Sequence, residues 1–385
     1  MTVLPSLDRQ PPFGAAVRTC RDTAQICLPA ALGGAVFAAV SLPAPWLTGG
    51  LLFSAAASLL YRPTKLPDLV KDTAIIVLGI AVGTTVTPGM LQHITNWPIS
   101  IAVLLITVYL MLFASYATLT MLFKWRSDTA FWSSAPGALT ASLAMAEETG
   151  ADVRSVTAIH MTRVLAVSLL LPFALSSRET SLPNAGPPFD VALFFLLLVV
   201  GFVVAVFFKR ASIPGGMLLG AFSSSALLSA TGAVTFSMPS SISAVACIVF
   251  ATFIGGQFSG THWRIFYQLA LASAATFMVS FVISAIAALL AVILLHLPFS
   301  QALIAYAPGG LDVLILVSYL LKVDPAFVST HHFARLLVLI LTLPAIGRWI
   351  GRLDKHNAAG KDLPELRPAR LNQPDTQASR ARRAV

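Results

Sequence analysis

Apolar runs follow one another from residue 26 to residue 351, and only short polar breaks separate them. A soluble domain carries about 25% charged residues because its surface must be solvated. This chain has 11% charged and 57% hydrophobic residues. One bilayer crossing takes about 20 apolar residues, so the stretch has room for about ten to twelve crossings. The sequence therefore predicts an all-α, polytopic membrane protein.

The charges outside the apolar runs predict orientation and partners. Although the net charge is +9, the basic residues occupy loops and chain ends, as the positive-inside rule describes. They form no basic face with interleaved aromatics, so we expect no direct nucleic-acid binding. The predicted partners are the lipid bilayer and a small solute, and a homo-oligomer is left open. Residues 1–25 and the basic tail 352–385 are predicted to be cytoplasmic, and the tail has the composition of a disordered segment.

The chain contains an internal duplication. Residues 135–172 align with residues 307–344 at a constant offset of 172 without a gap, and 12 of 38 positions are identical. Both copies begin with Ala-Pro-Gly. The polar residues that recur in phase are Asp152 and Asp324, His160 and His332, and Arg163 and Arg335. We therefore predict two tandem homologous halves, 26–176 and 191–351, joined by a loop over 177–190.

The fifth apolar segment of each half is interrupted by proline and glycine, at 135–137 and at 307–310. Proline removes a backbone donor and glycine loosens a helix. Because unpaired backbone groups at membrane depth persist only where they line protein or a wet cavity, these segments are predicted to be broken or re-entrant helices.

Two topologies follow from this interruption. If both interrupted segments cross the membrane, there are twelve crossings and the halves have the same orientation. If they return, each half has five crossings and the halves are inverted, as in many secondary transporters. The twelve-crossing arrangement places five basic residues outside, whereas the ten-crossing arrangement places only Arg178 and Lys322 there. The charge distribution favours the inverted five-plus-five arrangement.

The candidates for a substrate or ion pathway are the two Pro-Gly interruptions and the polar residues at membrane depth, where a charge costs at least about 2.5–3.5 kcal/mol. The candidates are Pro136, Gly137, His160, Arg163, Pro308, Gly309, Gly310, Asp312, His332 and Arg335. The arginines could bind an anionic solute, pair with Asp312 or hold helix carbonyls, and the histidines could couple a proton.

Four acidic residues near the interrupted segments have a second interpretation. Glu147 and Glu148 either join the pathway or lie at the water interface. Asp152 and Asp324 immediately precede the sixth segment of each half, where a helix N-cap is the expected role.

The paired blocks beginning APGALTASLAMAEETGADVRSVTAIHMTRVL and APGGLDVLILVSYLLKVDPAFVSTHHFARLL resemble the duplicated signature of the AbrB family of bacterial inner-membrane proteins. This family is distinct from the small DNA-binding AbrB. The resemblance implies a multi-pass inner-membrane protein. Members of the family carry two labels, regulator of gene expression and ammonia monooxygenase. It also implies an acidic residue after Pro-Gly-Gly in the second copy, which is Asp312 here, whereas Thr140 takes that place in the first copy.

These observations favour a transporter-like protein that moves or senses a small solute, with an anion indicated by the arginines and proton coupling by the histidines. The alternative is a membrane regulator that alters gene expression indirectly. An ammonia monooxygenase is the third hypothesis. It lacks support in the sequence, because no histidine or cysteine pattern has metal-ligand spacing. We expect no enzyme activity, no metal and no cofactor.

Overall fold

The computed structural model describes residues 12–61, 66–91, 97–175, 188–234, 236–259 and 263–359. All regular elements in these ranges are helices, and a π-helical turn, Thr118–Leu122, extends the fifth. In chain order the helices are α1 Pro12–Ala39, α2 Pro45–Tyr61, α3 Asp68–Gly83, α4 Pro88–Leu91, α5 Trp97–Ala117, α6 Ser127–Ser134, α7 Leu139–Thr149, α8 Val153–Leu175, α9 Val191–Arg210, α10 Gly216–Ala230, α11 Ser240–Gly256, α12 Trp263–Leu295, α13 Phe299–Tyr306, α14 Leu311–Leu320 and α15 Pro325–Ala359.

The outermost helices reach beyond the predicted membrane repeats. Helix α1 begins at Pro12, within the stretch 1–25 that was predicted as a cytoplasmic segment. Helix α15 continues to Ala359, past the predicted boundary at 351. Residues 1–11 and 360–385 and most of the 177–190 loop lie outside the described residues.

Six helices in the described ranges are long and apolar enough to cross a membrane. One of them, Val191–Arg210, has a mean hydropathy of 3.2. Only 17% of its most apolar 18-residue stretch is buried inside the protein. Apolar surface of this extent is stable only against lipid or another protein. The prediction of a helical membrane protein is confirmed at this level.

The first interrupted segment forms a helical hairpin. Helix α6 ends at Ser134 and α7 begins at Leu139. The indole nitrogen of Trp132 donates to Thr149 Oγ1 at 3.0 Å, and the backbone nitrogen of Asp152 donates to Thr129 Oγ1 at 3.1 Å. Since the start of α6 touches the end of α7, the two helices run antiparallel. The first hairpin therefore enters and leaves the bundle at the same end.

The second interrupted segment, α13–α14, has the same form. His332 Nε2 contacts the Ile304 carbonyl at 3.0 Å, and Arg335 Nη1 contacts the Ala307 carbonyl at 2.8 Å. Residue numbers rise together in these two contacts, so α15 runs beside α13 in the same direction. Because only four residues separate the end of α14 at Leu320 from the start of α15 at Pro325, α14 must return toward the start of α13. This second hairpin also enters and leaves at one end.

Packing divides the helices into two groups. One, here called the six-helix bundle, contains α1–α3 and α9–α11. The other, here called the hairpin bundle, contains α5–α8 and α12–α15. Helices α2 and α3 contact α8, α14 and α15 across the boundary. Each bundle thus contains corresponding helices from both halves of the duplication.

Small residues let the halves pack reciprocally in the six-helix bundle. Helix α3 packs on α10, where a Cβ added at Gly79 would lie 2.8 Å from the Leu218 carbonyl. Helix α11 packs on α2, where a Cβ at Gly255 would lie 2.7 Å from the backbone nitrogen of Ala55. Glycine is needed at both positions because a side chain would meet backbone atoms. The second helix of each half therefore packs on the third helix of the other half.

Candidate functional site

The two arginines that recur in phase in the duplication are buried in the hairpin bundle, and they bind backbone carbonyls rather than carboxylates. Arg163 on α8 is 3% exposed, and its Nη2 donates to the Ala135 carbonyl at 2.7 Å. Arg335 on α15 is 1% exposed and donates from Nη1 to the Ala307 carbonyl at 2.8 Å and from Nη2 to the Gly309 carbonyl at 2.7 Å. Each guanidinium therefore satisfies carbonyls that the Pro-Gly interruption of its own half frees from helical bonding.

The two hairpin tips meet at Arg335. Gly137, at the tip of the first hairpin, has a φ of +79°, in the left-handed region that favours glycine. A Cβ at this position would lie 2.5 Å from Arg335 Nη2 and 2.9 Å from the Gly309 carbonyl oxygen. The second arginine therefore touches both interruptions, and the tertiary structure brings together Pro-Gly sites far apart in sequence.

The neighbouring tip residues line the same junction. Pro136, Pro308 and Gly309 are buried. A Cβ at Gly309 would meet the Val167 side chain on α8 at 2.8 Å, and one at Gly310 would meet Val164 at 3.7 Å. The second tip is thus wedged against α8 of the first half.

Neither buried guanidinium has an acidic partner in the described part of the chain. Ion pairs such as those that join Lys71 to Asp68 and Asp72, Arg126 to Asp128, and Lys209 to Asp72 lie outside this junction. Asp312 forms no ion pair with either arginine. Among the three interpretations of the arginines, the geometry shows the contact with helix carbonyls. Arg335 Nε is buried and has no hydrogen-bond partner.

The histidines flank the junction in unequal ways. His160 Nδ1 donates to the Val156 carbonyl of its own helix at 2.9 Å, and its Nε2 is buried without a partner. His332 instead uses Nε2 toward the Ile304 carbonyl, and its Nδ1 is buried without a partner. The two copies share a sequence position but differ in the nitrogen that they use and in the helix that they contact.

A hydrogen-bonded cluster that the sequence did not reveal lies beside His332. His331 Nδ1 donates to the Phe327 carbonyl at 2.8 Å, and its Nε2 lies 2.9 Å from Ser100 Oγ. Tyr306 OH donates to the Ser100 carbonyl at 3.1 Å. These contacts tie α5, α13 and α15 together. No motif marks Ser100 or Tyr306, because the cluster joins positions more than 200 residues apart.

Asp312 occupies a separate position from the arginines. It lies in the first turn of α14, and its Oδ1 is buried without a hydrogen-bond partner. A Cβ at Gly215, which has a φ of +66°, would lie 2.7 Å from that oxygen. Gly215 was not among the predicted site residues, although Pro214 and Gly215 repeat the proline-glycine pattern of the hairpin tips. Thr140, the counterpart of Asp312, is exposed.

The remaining acidic residues lie at helix ends. Glu147 and Glu148 are exposed at the end of α7. Asp152 Oδ1 accepts from the backbone nitrogen of Arg154 at 3.1 Å. Asp324 Oδ1 accepts from the backbone nitrogens of Ala326 and Phe327. The N-cap roles predicted for the two aspartates are confirmed.

The model of the family described as "Transition state regulatory protein AbrB" matches residues 46–351. The chain belongs to the AbrB family. It is 29% identical over 350 residues to a protein of Escherichia coli (strain K12) named "Putative regulator AbrB", covering 87% of this chain and 98% of the relative. It is 23% identical over 356 residues to "Uncharacterized protein YhjN" of Bacillus subtilis (strain 168), covering 84% of this chain and 91% of the relative. The AbrB-family match includes both hairpins, both arginines and Asp312.

Proposed function

We propose that this AbrB-family protein is a transporter that binds a small anionic solute between the two hairpin tips. The observation that carries the proposal is the pair of buried guanidinium groups, one from each half, that converge on the tips without a carboxylate partner in the described residues. Buried ions are stable when paired or fully hydrogen-bonded, because removing them from water costs several kcal/mol each. A bound anion would neutralise this excess positive charge.

The free donor at the junction supports the same ligand class. Arg335 uses both terminal nitrogens on tip carbonyls, and its buried Nε remains without a partner. A guanidinium presents several N–H donors in a fixed fork that suits carboxylate or phosphate oxygens. The anion can therefore be a carboxylate or an oxyanion, provided that it is small enough to fit between the tips.

We further propose that the two halves are inverted and cross the bacterial inner membrane ten times. Ser100 on α5 contacts His331 on α15, and Tyr109 contacts Thr342 farther along both helices, so α5 and α15 run in the same direction. The first hairpin returns to the end where it began, so α8 runs opposite to α5 and hence to α15. Since α8 and α15 are duplicated copies, their opposite directions support inversion, and the hairpins would enter from opposite sides.

The orientation follows from the positive-inside rule. Lys209 at the end of α9 pairs with Asp72 near the start of α3, so these two helix ends lie on the same side of the protein. Lys209 and Arg210 make this side basic. We propose that this side, and both chain termini, face the cytoplasm. In cells carrying single cysteines in a cysteine-free background, an impermeant maleimide should label Lys322→Cys from outside and leave Glu148→Cys unlabelled until the cells are opened. Labelling of both from outside would contradict the inverted arrangement.

The transport proposal is tested with reconstituted protein on a solid-supported membrane, by measuring currents evoked by succinate, sulfate and phosphate, multivalent anions whose transport moves net charge even when one proton accompanies each anion. We expect at least one anion to evoke a current that Arg335→Lys and Arg163→Lys each reduce about ten-fold or more, because one ammonium cannot reproduce the forked contacts. Arg348→Lys, an exposed arginine on the same helix α15, is the matched control and should behave as wild type. Unchanged currents in the folded Arg335→Lys and Arg163→Lys proteins would refute the site.

The name of the Escherichia coli relative favours a second candidate, regulation of gene expression. We propose that such regulation would be indirect, through the concentration of the transported or sensed solute. Promoter fragments that bind the purified protein at physiological salt would contradict this view.

We propose no enzymatic activity. In the described part of the chain, no three His, Cys, Asp or Glu side chains lie together as metal ligands, and stoichiometric copper in the purified protein would reopen the monooxygenase hypothesis.

A further inference from the structure

We propose that Asp312 carries the proton that accompanies the anion, at a site distinct from the two arginines. This inference rests on the proposed anion transport and adds the coupling ion to it. The site consists of the Asp312 carboxylate and the Gly215 backbone that faces it. Its Oδ1 is buried and has no hydrogen-bond partner, and only a glycine at 215 leaves room for this oxygen.

A buried carboxylate oxygen without a partner favours the protonated acid. Transfer of an unpaired charge into an apolar interior is far costlier than transfer of the neutral acid. A Cβ built at Gly215 would also lie 2.9 Å from the Leu311 side chain, so an apolar side chain lies beside the carboxylate at this point. When water reaches Asp312, the acid can release its proton and leave the carboxylate. Each cycle thus binds one proton on one side and releases it on the other.

The position of Asp312 links this exchange to movement. Asp312 belongs to α14 in the hairpin bundle, whereas Gly215 precedes α10 in the six-helix bundle. The carboxylate therefore lies on the boundary between the two bundles. A shift of one bundle against the other would change the access of water to Asp312 and would move the arginine junction at the same time.

Helix ends at the site favour a proton over a metal cation. Asp312 lies in the first turn of α14, and Gly215 is the N-cap of α10. Helix N-termini present N–H groups and partial positive charge, which repel a metal cation and stabilise the carboxylate only once water has reached the site and the proton has left. Sodium would need several oxygen ligands in place of these amide donors. A proton needs only the carboxylate oxygen.

The surrounding titratable groups do not replace Asp312 in this role. His160, His332 and His331 each donate to a backbone carbonyl through one ring nitrogen, and His331 also contacts Ser100. A proton on the unpartnered nitrogen of His160 or His332 would add a positive charge three residues from Arg163 or Arg335 on the same helix. None of the described charged groups forms an ion pair with Asp312. The groups on the elements around it are His331, His332 and Arg335 on α15, His160 and Arg163 on α8, Tyr306 on α13, Tyr319 on α14, Asp68, Lys71 and Asp72 on α3, and Lys209 and Arg210 before Gly215.

The duplication makes this a single site. Thr140 takes the place of Asp312 in the first hairpin and is exposed, and Ala44 takes the place of Gly215. The first half therefore provides neither the carboxylate nor the glycine. This asymmetry predicts one coupled proton per transport cycle.

The first test detects the proton without knowledge of the solute. Infrared difference spectra of proteoliposomes between acidic and alkaline buffer should show the carbonyl stretch of a buried protonated carboxylic acid. We expect this band in the wild type and in Asp190→Asn, an exposed N-cap acid of α9, and its loss in Asp312→Asn. A band that persists unchanged in Asp312→Asn would overturn the assignment.

A second variant keeps the test independent of the folding of Asp312→Asn. Gly215→Ala retains the acid but brings a Cβ to 2.7 Å from Oδ1, so the band should shift in frequency. Gly232→Ala introduces alanine at a φ of +75° with no atom within 4 Å and should leave the band in place. An unshifted band in a folded Gly215→Ala protein would contradict the proposed contact.

Transport measurements separate this inference from the proposed function. For the anion of the panel that evokes a current, an imposed pH gradient should drive accumulation in wild type, and Asp312→Asn should abolish accumulation while retaining exchange. Accumulation driven by a sodium gradient instead, or loss of the infrared band on adding sodium at constant pH, would show that the coupling ion is not a proton. If the arginine variants reduce the current but the pH gradient has no effect, anion transport stands and the proton inference fails.

Discussion

The contact between the two hairpin tips makes Gly137→Ala the most informative substitution in the protein. Alanine at a φ of +79° costs about 1–2 kcal/mol, because its Cβ crowds the backbone in the left-handed region. The same Cβ would lie 2.5 Å from Arg335 Nη2, so the guanidinium must move away from the Gly309 carbonyl. Loss of one hydrogen bond to a charged group adds about 1.5–3 kcal/mol. The expected total is about 2.5–5 kcal/mol.

Gly150→Ala provides the control for backbone strain alone. Gly150 has a φ of +68° and ends α7 of the same hairpin, but a Cβ there would meet no atom within 4 Å. We expect this control to lose only about 1–2 kcal/mol. The assay is equilibrium unfolding of purified protein in mixed detergent and SDS micelles, followed by tryptophan fluorescence. If Gly137→Ala loses no more stability than Gly150→Ala, the close approach of Arg335 to the first tip is wrong.

Three further substitutions test the surroundings of the site in the same unfolding assay. Asp324→Ala should cost about 1 kcal/mol by removing the α15 N-cap, whereas Asp324→Asn should cost little, and equal losses would contradict the cap. Ser100→Ala should cost about 1–3 kcal/mol because His331 Nε2 is left buried without its partner, and a loss no larger than that of an exposed Ser241→Ala would refute this. Gly255→Val should prevent the close packing of α11 on α2 and yield aggregated protein on size-exclusion chromatography, and a monodisperse protein of wild-type stability would contradict it.

The arginines show how one side chain can serve both architecture and binding. Arg163 and Arg335 satisfy carbonyls at the Pro-Gly interruptions, so their removal destabilises the tips irrespective of any solute. The excess positive charge remains after these bonds are made, since carbonyl dipoles do not neutralise a cation. An anion is therefore expected to stabilise the protein against unfolding by an amount that grows with the logarithm of its concentration above the dissociation constant, and lysine variants should lose most of this effect.

Much of the site could be anticipated from local sequence. Because proline and glycine act on their own turn of helix, the interruptions at 135–137 and 307–310 could be predicted from the sequence. The two hairpins confirm this prediction. The N-caps at Asp152 and Asp324 were equally local. The partners of Arg335, the Ser100–His331 contact and the approach of Gly215 to Asp312 were not readable, because each joins residues from different helices.

The sequence by itself determined that this chain is a duplicated, helical membrane protein with an interrupted segment in each half. Apolar runs of this length have no stable place outside a bilayer, and a repeat in phase is visible without coordinates. Only the tertiary structure decided that Arg335 touches the first tip at Gly137 and that Asp312 faces Gly215 rather than an arginine. The physical reason is that a buried polar group takes whichever partner the packing brings within hydrogen-bond reach, and that reach depends on helix positions that no local pattern encodes.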